Sequence, residues 1–423
     1  MVVQSIIFNN KSILSINDFL DLSSDIISSD IYKILNLDFN IDCNLFQNYL
    51  DSERTCPIVH LAKSEDAEEI SKIFKDIYQN TYPYKEMEKA EGVREMINSK
   101  DYLWYIFKLE NNEAIGCFGT QLEFEEKRGL LYGFVIKKKY HKIIDGFKAF
   151  VGCVTYIWKT YQDRILLWYG ELRTNESTSQ FFTSIMGLKP IAIFPNKDIF
   201  NSQIESNILH VIYDESIFKK YRKIEAPHII RQVLNWYTYS SKRYSLQNPQ
   251  IENPNITLNQ DKINELSEIL TINIQEVQYG NQIFKLSFKG FDSSMEFMHN
   301  PRSKNFEKTY FKVSCLEELY SFLKKIKDLI NTMGINYFEC FVSGYEPTYQ
   351  KIFYNSGFRP RGYVPCWYYN KITGKFEDQV VFNYYRGEIA ENIHVIAETK
   401  ELLDLSINPH EKILKDVLDL MEN

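Results

Sequence analysis

Residues Leu130 to Pro195 read LLYGFVIKKKYHKIIDGFKAFVGCVTYIWKTYQDRILLWYGELRTNESTSQFFTSIMGLKPIAIFP, and their reading decides the fold. Leu130 to Ile136 is an apolar run of strand length, and Lys137 to Lys142 (KKKYHK) is a polar turn expected to open a helix. Along that helix Ile143, Phe147, Phe150, Val151, Val154, Ile157, Trp158 and Tyr161 recur mostly at spacings of three and four, which collects them on one face. Ile165 to Leu172 returns as a buried strand, Ser177 to Met186 as a second helix, and Gly187-Leu188 as a turn into another strand. Two strands joined by a long helix predict a parallel pair with a right-handed crossover. Unsatisfied backbone N–H groups where the first strand hands over to the helix, with lysines nearby, suit an anionic ligand.

Working outward, Ile58 to Ala62 predicts a strand, and Ser64 is expected to cap a helix whose buried face is Ala67, Ile70, Ile73, Phe74 and Ile77. Tyr82-Pro83-Tyr84 breaks that run, and Glu86 to Asn98 predicts a second helix. Tyr102 to Leu109 and Ala114 to Phe124 form a hairpin over Glu110 to Glu113, and Asn207 to Tyr213 supplies a last strand. The stretch 216–255 changes character, with a basic FKKYRKI, a helix expected over Pro227 to Tyr239 and a Pro/Asn-rich QNPQIENPNIT, and reads as a linker. Beyond it, Leu319, Phe322, Leu323, Ile326, Leu329, Ile330 and Met333 make an apolar helix face, and Ile335 to Val342 a strand. GYEPTYQKIFYNSGFRPRGYVP then parallels NESTSQFFTSIMGLKPIAIFP of the first half. Glu176, Thr178, Gln180, Gly187, Pro190 and Pro195 match Glu346, Thr348, Gln350, Gly357, Pro360 and Pro365 at one constant offset, that from 187 to 357. A repeated unit is the expected cause.

Strand, two helices, hairpin, strand, helix, strand, helix, strand over residues 57–215 resembles the GNAT superfamily of N-acetyltransferases. The resemblance implies an α+β fold with a mixed sheet, in two tandem acyl-CoA N-acyltransferase-like domains of which the second is reduced. It places an N-terminal extension at 1–56, the catalytic domain at 57–215, the linker at 216–255, the degenerate copy at 256–390 and a helical tail at 391–423. In the superfamily an (Arg/Gln)-x-x-Gly-x-(Gly/Ala) turn holds the pyrophosphate of coenzyme A; here it reads His141-Lys142-Ile143-Ile144-Asp145-Gly146, so that Gly146 alone fits the pattern. The Tyr often used as general acid is Thr183. The resemblance further implies acetyl-CoA as acyl donor. Phe134, Val135 and Ile136 would polarise the thioester, Phe147 and the 141–146 turn would lie along the cofactor, and Asn175 and Gln180 would hold the pantetheine arm. Punctuation by Tyr82-Pro83-Tyr84, Thr174 to Gln180, Pro227-His228 and Gly357-Phe358…Pro365 is similar to that of tandem acetyltransferase-like proteins.

Moving an acyl group to a primary amine requires a base for an ammonium of pKa about 10. Glu171, late in an otherwise apolar strand, is the preferred base, and Glu123, sharing a polar strand face with Gln121 and Glu125, is the second. Ser314-Cys315-Leu316-Glu317-Glu318 opens the corresponding helix of the second unit, and acids there satisfy the amides and repel a pyrophosphate. Two further functions stay open: a non-catalytic acyl-CoA-binding or protein-interaction regulator, and an aminoacyl-tRNA-dependent transferase.

At 423 residues the chain is long enough for two domains, and 44% hydrophobic with 15% aromatic content argues for packed cores. Seven scattered Cys without CxxC pairing predict reduced thiols, no metal site and a cytoplasmic setting, and the N-terminus shows no signal-peptide pattern. No apolar run approaches a membrane span, and a net charge of −7 argues against general nucleic-acid binding.

Overall fold

The computed structural model describes residues 15–24, 57–389 and 393–407. The DIYKILNL stretch of the expected N-terminal extension and residues 408–423 of the expected tail lie outside them. In chain order the first half comprises α1 (Ile16–Ser24), β1 (Ile58–Leu61), α2 (Ala67–Tyr78), α3 (Ala90–Asn98), β2 (Tyr102–Lys108), β3 (Ala114–Glu123), β4 (Arg128–Ile136), α4 (Gly146–Tyr161), β5 (Leu167–Arg173), α5 (Thr178–Ile185), β6 (Lys189–Phe200) and β7 (Gln203–Tyr213). A connecting segment carries β8 (His228–Ile230), α6 (Leu234–Tyr244) and β9 (Gln250–Glu252). The second half follows with α7 (Gln260–Ile269), β10 (Leu270–Glu276), β11 (Gln282–Phe288), β12 (Ser294–Asn300), β13 (Asn305–Lys312), α8 (Leu316–Met333), β14 (Tyr337–Ser343), α9 (Pro347–Asn355), β15 (Arg359–Asn370), β16 (Lys375–Tyr385) and α10 (Ala397–Ile407).

Fourteen strands form one sheet in the order β1-β2-β3-β4-β5-β7-β6-β15-β16-β14-β13-β12-β11-β10. Read inward from either end, the sequence of elements is the same. Each half has one parallel pair, β4–β5 and β13–β14, and antiparallel neighbours elsewhere. The halves join through β6 and β15, where Gly362 pairs with Ala192. Those two positions share the offset that relates Gly187 to Gly357, so the joint brings equivalent residues face to face.

Local chemistry accounts for most of the elements. Val154, Ile157 and Trp158 of α4 are fully buried, Phe147, Phe150 and Val151 nearly so, and Phe19 of α1 meets the Trp158 ring edge-on at 5.1 Å. Gly187 and Gly357, both with φ of 94°, end α5 and α9 in the left-handed region that a side chain resists.

Four expectations are corrected. α4 starts at Gly146, not at the lysine turn, where Lys138–Tyr140 forms a single 3-10 turn. Ile143 therefore lies outside the helix and is 54% exposed. Ser64 does not cap a helix: its hydroxyl donates to Asn98 Oδ1 at 2.6 Å, and the Asp66 carboxylate accepts the Lys63 N–H at 2.9 Å. The segment from Glu86 to Asn98 is a 3-10 turn followed by α3, because Lys89 takes extended backbone angles. Pro227 to Tyr239 opens as β8, since the His228 N–H is drawn to Gly344 O at 2.9 Å, and becomes helical only at Leu234.

A Cβ on Gly362 would stand 2.3 Å from the Ala192 Cβ and 2.9 Å from Ile191 O. Gly362→Ala should thus destabilise the protein by about 1–3 kcal/mol, the range of overpacking in a core. Urea unfolding monitored by tryptophan fluorescence reads it, and an unchanged midpoint would show that the joint does not hold the halves.

Candidate active site

β4 and β5 pair only at Arg128–Leu167, Gly129–Trp168 and Leu130–Tyr169, after which they part. The ladder to β3 is irregular over the same stretch: its register shifts between Cys117 and Gly119, and Gly133 takes a φ of 65°. Lys137 donates its N–H to Ile115 O, so strand alternation turns the Val135 N–H toward β3 and that of Ile136 toward the gap. Phe134, Phe150 and Phe182 lie along the parting, with Phe134 5.1 Å from Phe150 and 6.1 Å from Phe182.

This parting opens into a cavity of about 1020 Å³ that runs from the first half into the second. Both carboxylates expected as bases line it. Glu171 accepts a hydrogen bond from Lys197 Nζ at 2.7 Å. Arg173, two residues further along β5, binds both carboxylate oxygens of Glu205 at 2.7 and 2.8 Å and leaves Glu171 to Lys197. Glu123 is ion-paired with Arg128 and accepts the Tyr169 hydroxyl at 2.8 Å. Arg128 also lies 4.5 Å over the Trp367 ring, so a β15 residue covers this end of the first-half opening.

Lys197, absent from the sequence-based candidates, is the centre of the site. It is 1% exposed, and its ammonium reaches Glu171, both oxygens of Glu339 at 3.2 Å and Glu307 at 3.7 Å. Burial opposes the ammonium, yet the surrounding Glu171, Glu339 and Glu307 outweigh it and hold the pKa well above its ordinary value. Burial pushes the Glu339 carboxyl up to about 7 against the pull of Lys197, and raises Asp198 to about 7 as well. Asp198 accepts from Asn207 at 2.7 Å and Ser303 at 2.9 Å. Glu171 and Lys197 belong to the first half, Glu307 and Glu339 to the second.

The signal for this cluster lies in the constant sequence offset between the halves. At the constant offset, Glu171 and Lys197 correspond to Phe341 and Trp367, which stack at 5.1 Å with 13° between their planes. An ion pair in one half stands where the other has an aromatic stack.

Of the residues expected along the cofactor, Phe134 alone lines the cavity among the described residues. The His141 ring Nε2 lies 2.8 Å from Ile136 O, tying the turn to the end of β4, while Lys142 is exposed. Ile144 and Phe147 are packed in the first-half core, and Asp145 is buried just ahead of α4. Gly146 allows close packing, since a Cβ there would stand 2.4 Å from Ile136 Cδ1. Asn175 is half-buried in the turn after β5. Gln180 is fully buried and its amide donates to Arg173 O at 3.0 Å and His394 O at 3.3 Å. Gln350 does the same to Ser343 O at 3.0 Å and His228 O at 2.9 Å. Gln180 thus fastens the segment at His394 and Gln350 the strand at His228. Thr183 donates within α5 and lies 3.2 Å from the buried His210, whose pKa burial lowers to about 3.

In the second half, Glu318 Oε2 accepts the backbone N–H groups of Ser314 at 2.7 Å and Cys315 at 3.3 Å. The start of α8 is closed by its own acid, as the sequence led us to expect. No group of His, Cys, Asp and Glu among the described residues has the arrangement of a metal site, and no helix among them is long and apolar enough to cross a membrane.

No protein-family model matches the chain, and no curated protein matches it. Among solved structures it is similar to the ribosomal-protein-S5-alanine acetyltransferase of Vibrio fischeri, at 16% identity over 39% of this chain and 97% of that one, with a TM-score of 0.32. It is similar too to mutant forms of the spermidine/spermine N-acetyltransferase SpeG of Vibrio cholerae, at 9% identity over 38% and 97% with a TM-score of 0.32. Arabidopsis thaliana NAA60 matches at 12% identity over 37% and 97%, with a TM-score of 0.31.

Glu339 and Asp198 hold protons when folded that the unfolded chain releases at lower pH. Raised carboxyl values make stability greatest below the unfolded pKa, and it is lost as pH rises through the folded value, here from about 4.5 to about 7. The melting temperature should fall across that window, and less steeply in Glu339→Gln, which leaves Lys197 with Glu171 and Glu307. Parallel slopes in the two proteins would contradict this reading of Glu339.

Proposed function

We propose that the protein is an acyl-CoA-dependent N-acyltransferase, with acetyl-CoA as the donor, whose first half holds the reacting centre. The observation that carries this reading is the parting of β4 from β5 after the Leu130–Tyr169 pair, beside a lining carboxylate. A thioester arm laid in that gap would pass Phe134 and meet the β4 N–H groups that turn toward it, and these polarise the carbonyl as charge develops on its oxygen. The amine nitrogen attacks the carbonyl carbon, the C–N bond forms, and the C–S bond breaks. Glu171 takes the proton the amine must lose, and the departing thiolate, of pKa about 8.5, needs little acid help.

The second half is, in this proposal, a reduced copy of the first without a donor seat. The Glu318 cap supports this, because a carboxylate already accepts the amides a diphosphate would need. Its contribution is to the cavity wall, through Glu307, Glu339, Trp367 and the β15–β16 hairpin. The carboxylates of that wall repel an RNA strand, which weighs against transfer from aminoacyl-tRNA. Lys197 favours one second reading, binding of an acyl-CoA without turnover, since its ammonium already occupies a Glu171 carboxylate oxygen at 2.7 Å.

Release of free thiol from acetyl-CoA in the presence of a primary amine separates the two. Transfer predicts amine-dependent release that drops by about 10²–10⁴-fold in Glu171→Gln, with loss of the acidic limb of the pH–rate profile. Tight acetyl-CoA binding with no thiol release would establish the second reading.

A further inference from the structure

The cavity carries more negative charge than its own cations balance. Nine carboxylates line it against five cationic side chains. Three of the cations are already paired: Arg128 with Glu123, Arg173 with Glu205, and Lys371 with Glu125. Lys197 is shared among Glu171, Glu339 and Glu307.

A second observation is independent of the charge count. Glu307 is 1% exposed, and its Oε1 has no hydrogen-bond partner among the described residues, while its other oxygen accepts only a long 3.4 Å bond from Tyr84. Glu86 Oε2 and Thr309 Oγ1, on the same lining, are also without a partner among the described residues. Burial, with the nearby Glu307 adding to it, raises the Glu86 pKa against the pull of Lys308 and Arg302. A buried acceptor left unmatched is costly, so several acceptors on one wall point to a ligand that brings N–H donors and positive charge. Tyrosine faces on that wall, Tyr82, Tyr84, Tyr102 and Tyr132, suit an alkylammonium.

We infer that the amine acceptor is a small diammonium compound, whose far ammonium is held by Glu307 and Glu86 while its near amine lies beside Glu171. The assignment rests on the transfer reading for the role of the near amine, and on the wall alone for the far one. One ammonium replaces the missing donors at Glu307, the aliphatic chain lies over the tyrosine faces, and the second nitrogen is placed for attack.

Calorimetric titration of the full-length protein with 1,4-diaminobutane and with butylamine, at matched ionic strength, tests the far site without requiring turnover. The diamine should bind at least tenfold more tightly, and Glu307→Gln should erase most of that advantage. Glu86→Gln, in a turn outside the sheet, should reduce it as well and serves if the Glu307 variant does not fold. Equal affinity for the two amines, or an advantage that survives in a folded Glu307→Gln or in Glu86→Gln, overturns the inference. Diamine-selective binding without thiol release from acetyl-CoA would leave the cation site standing and remove the transferase reading. Thiol release with equal kcat/KM for the two amines would do the reverse.

Discussion

Lys197 is held inside the molecule by carboxylates from both halves, and the site depends on that contact. A buried ammonium is tolerable only with close anionic partners, because the cost of taking it out of water exceeds what one weak pair returns. Glu171 supplies one such partner from β5, and Glu339 and Glu307 supply the others from β14 and β13. The arrangement exists because β6 crosses the joint with β15 and carries Lys197 onto the second half. Gly362, which has no side chain to obstruct Ala192, makes that crossing possible.

The same crossing operates in the opposite direction. β15 carries Trp367 onto the first half, where it meets Tyr169 edge-on at 4.9 Å and lies under Arg128. Each central hairpin therefore completes the wall of the opposite opening. The connecting strand β8 and the segment before α10 repeat the exchange, fastened by Gln350 and Gln180. A first half expressed alone would lose both its cavity wall and the segment that meets Thr174, whose carbonyl receives the His394 N–H at 2.7 Å.

Much of this was legible in the residues. Apolar periodicity located β4, α4 and β5, and the constant offset between the two Gly-to-Pro stretches anticipated matching strands on either side of the joint. Glu171 stood out as an acid in an apolar strand and Glu123 as one of a polar strand face, and both line the cavity. Lys197 escaped notice because its strand was read only as the one that follows the Gly187-Leu188 turn, and its partner Glu339 lies 142 residues away in sequence. Gln180 was assigned to the cofactor through the family resemblance, and only the fold reveals that its amide already donates to the backbone of residue 394. The start of α4 was misplaced because a lysine-rich turn and a first helical turn have the same polarity. Comparing the halves position by position, Glu171 with Phe341 and Lys197 with Trp367, would have found the cluster from sequence.

In the function proposed above, one half alone holds a nucleotide thioester, in the gap between β4 and β5. Amide hydrogen exchange of the intact protein with and without acetyl-CoA tests it most directly. The account predicts slowed exchange in residues 131–147 and 170–183 and unchanged exchange in 309–318 and 341–350. Protection in the second-half segments, or none in the first, would contradict it.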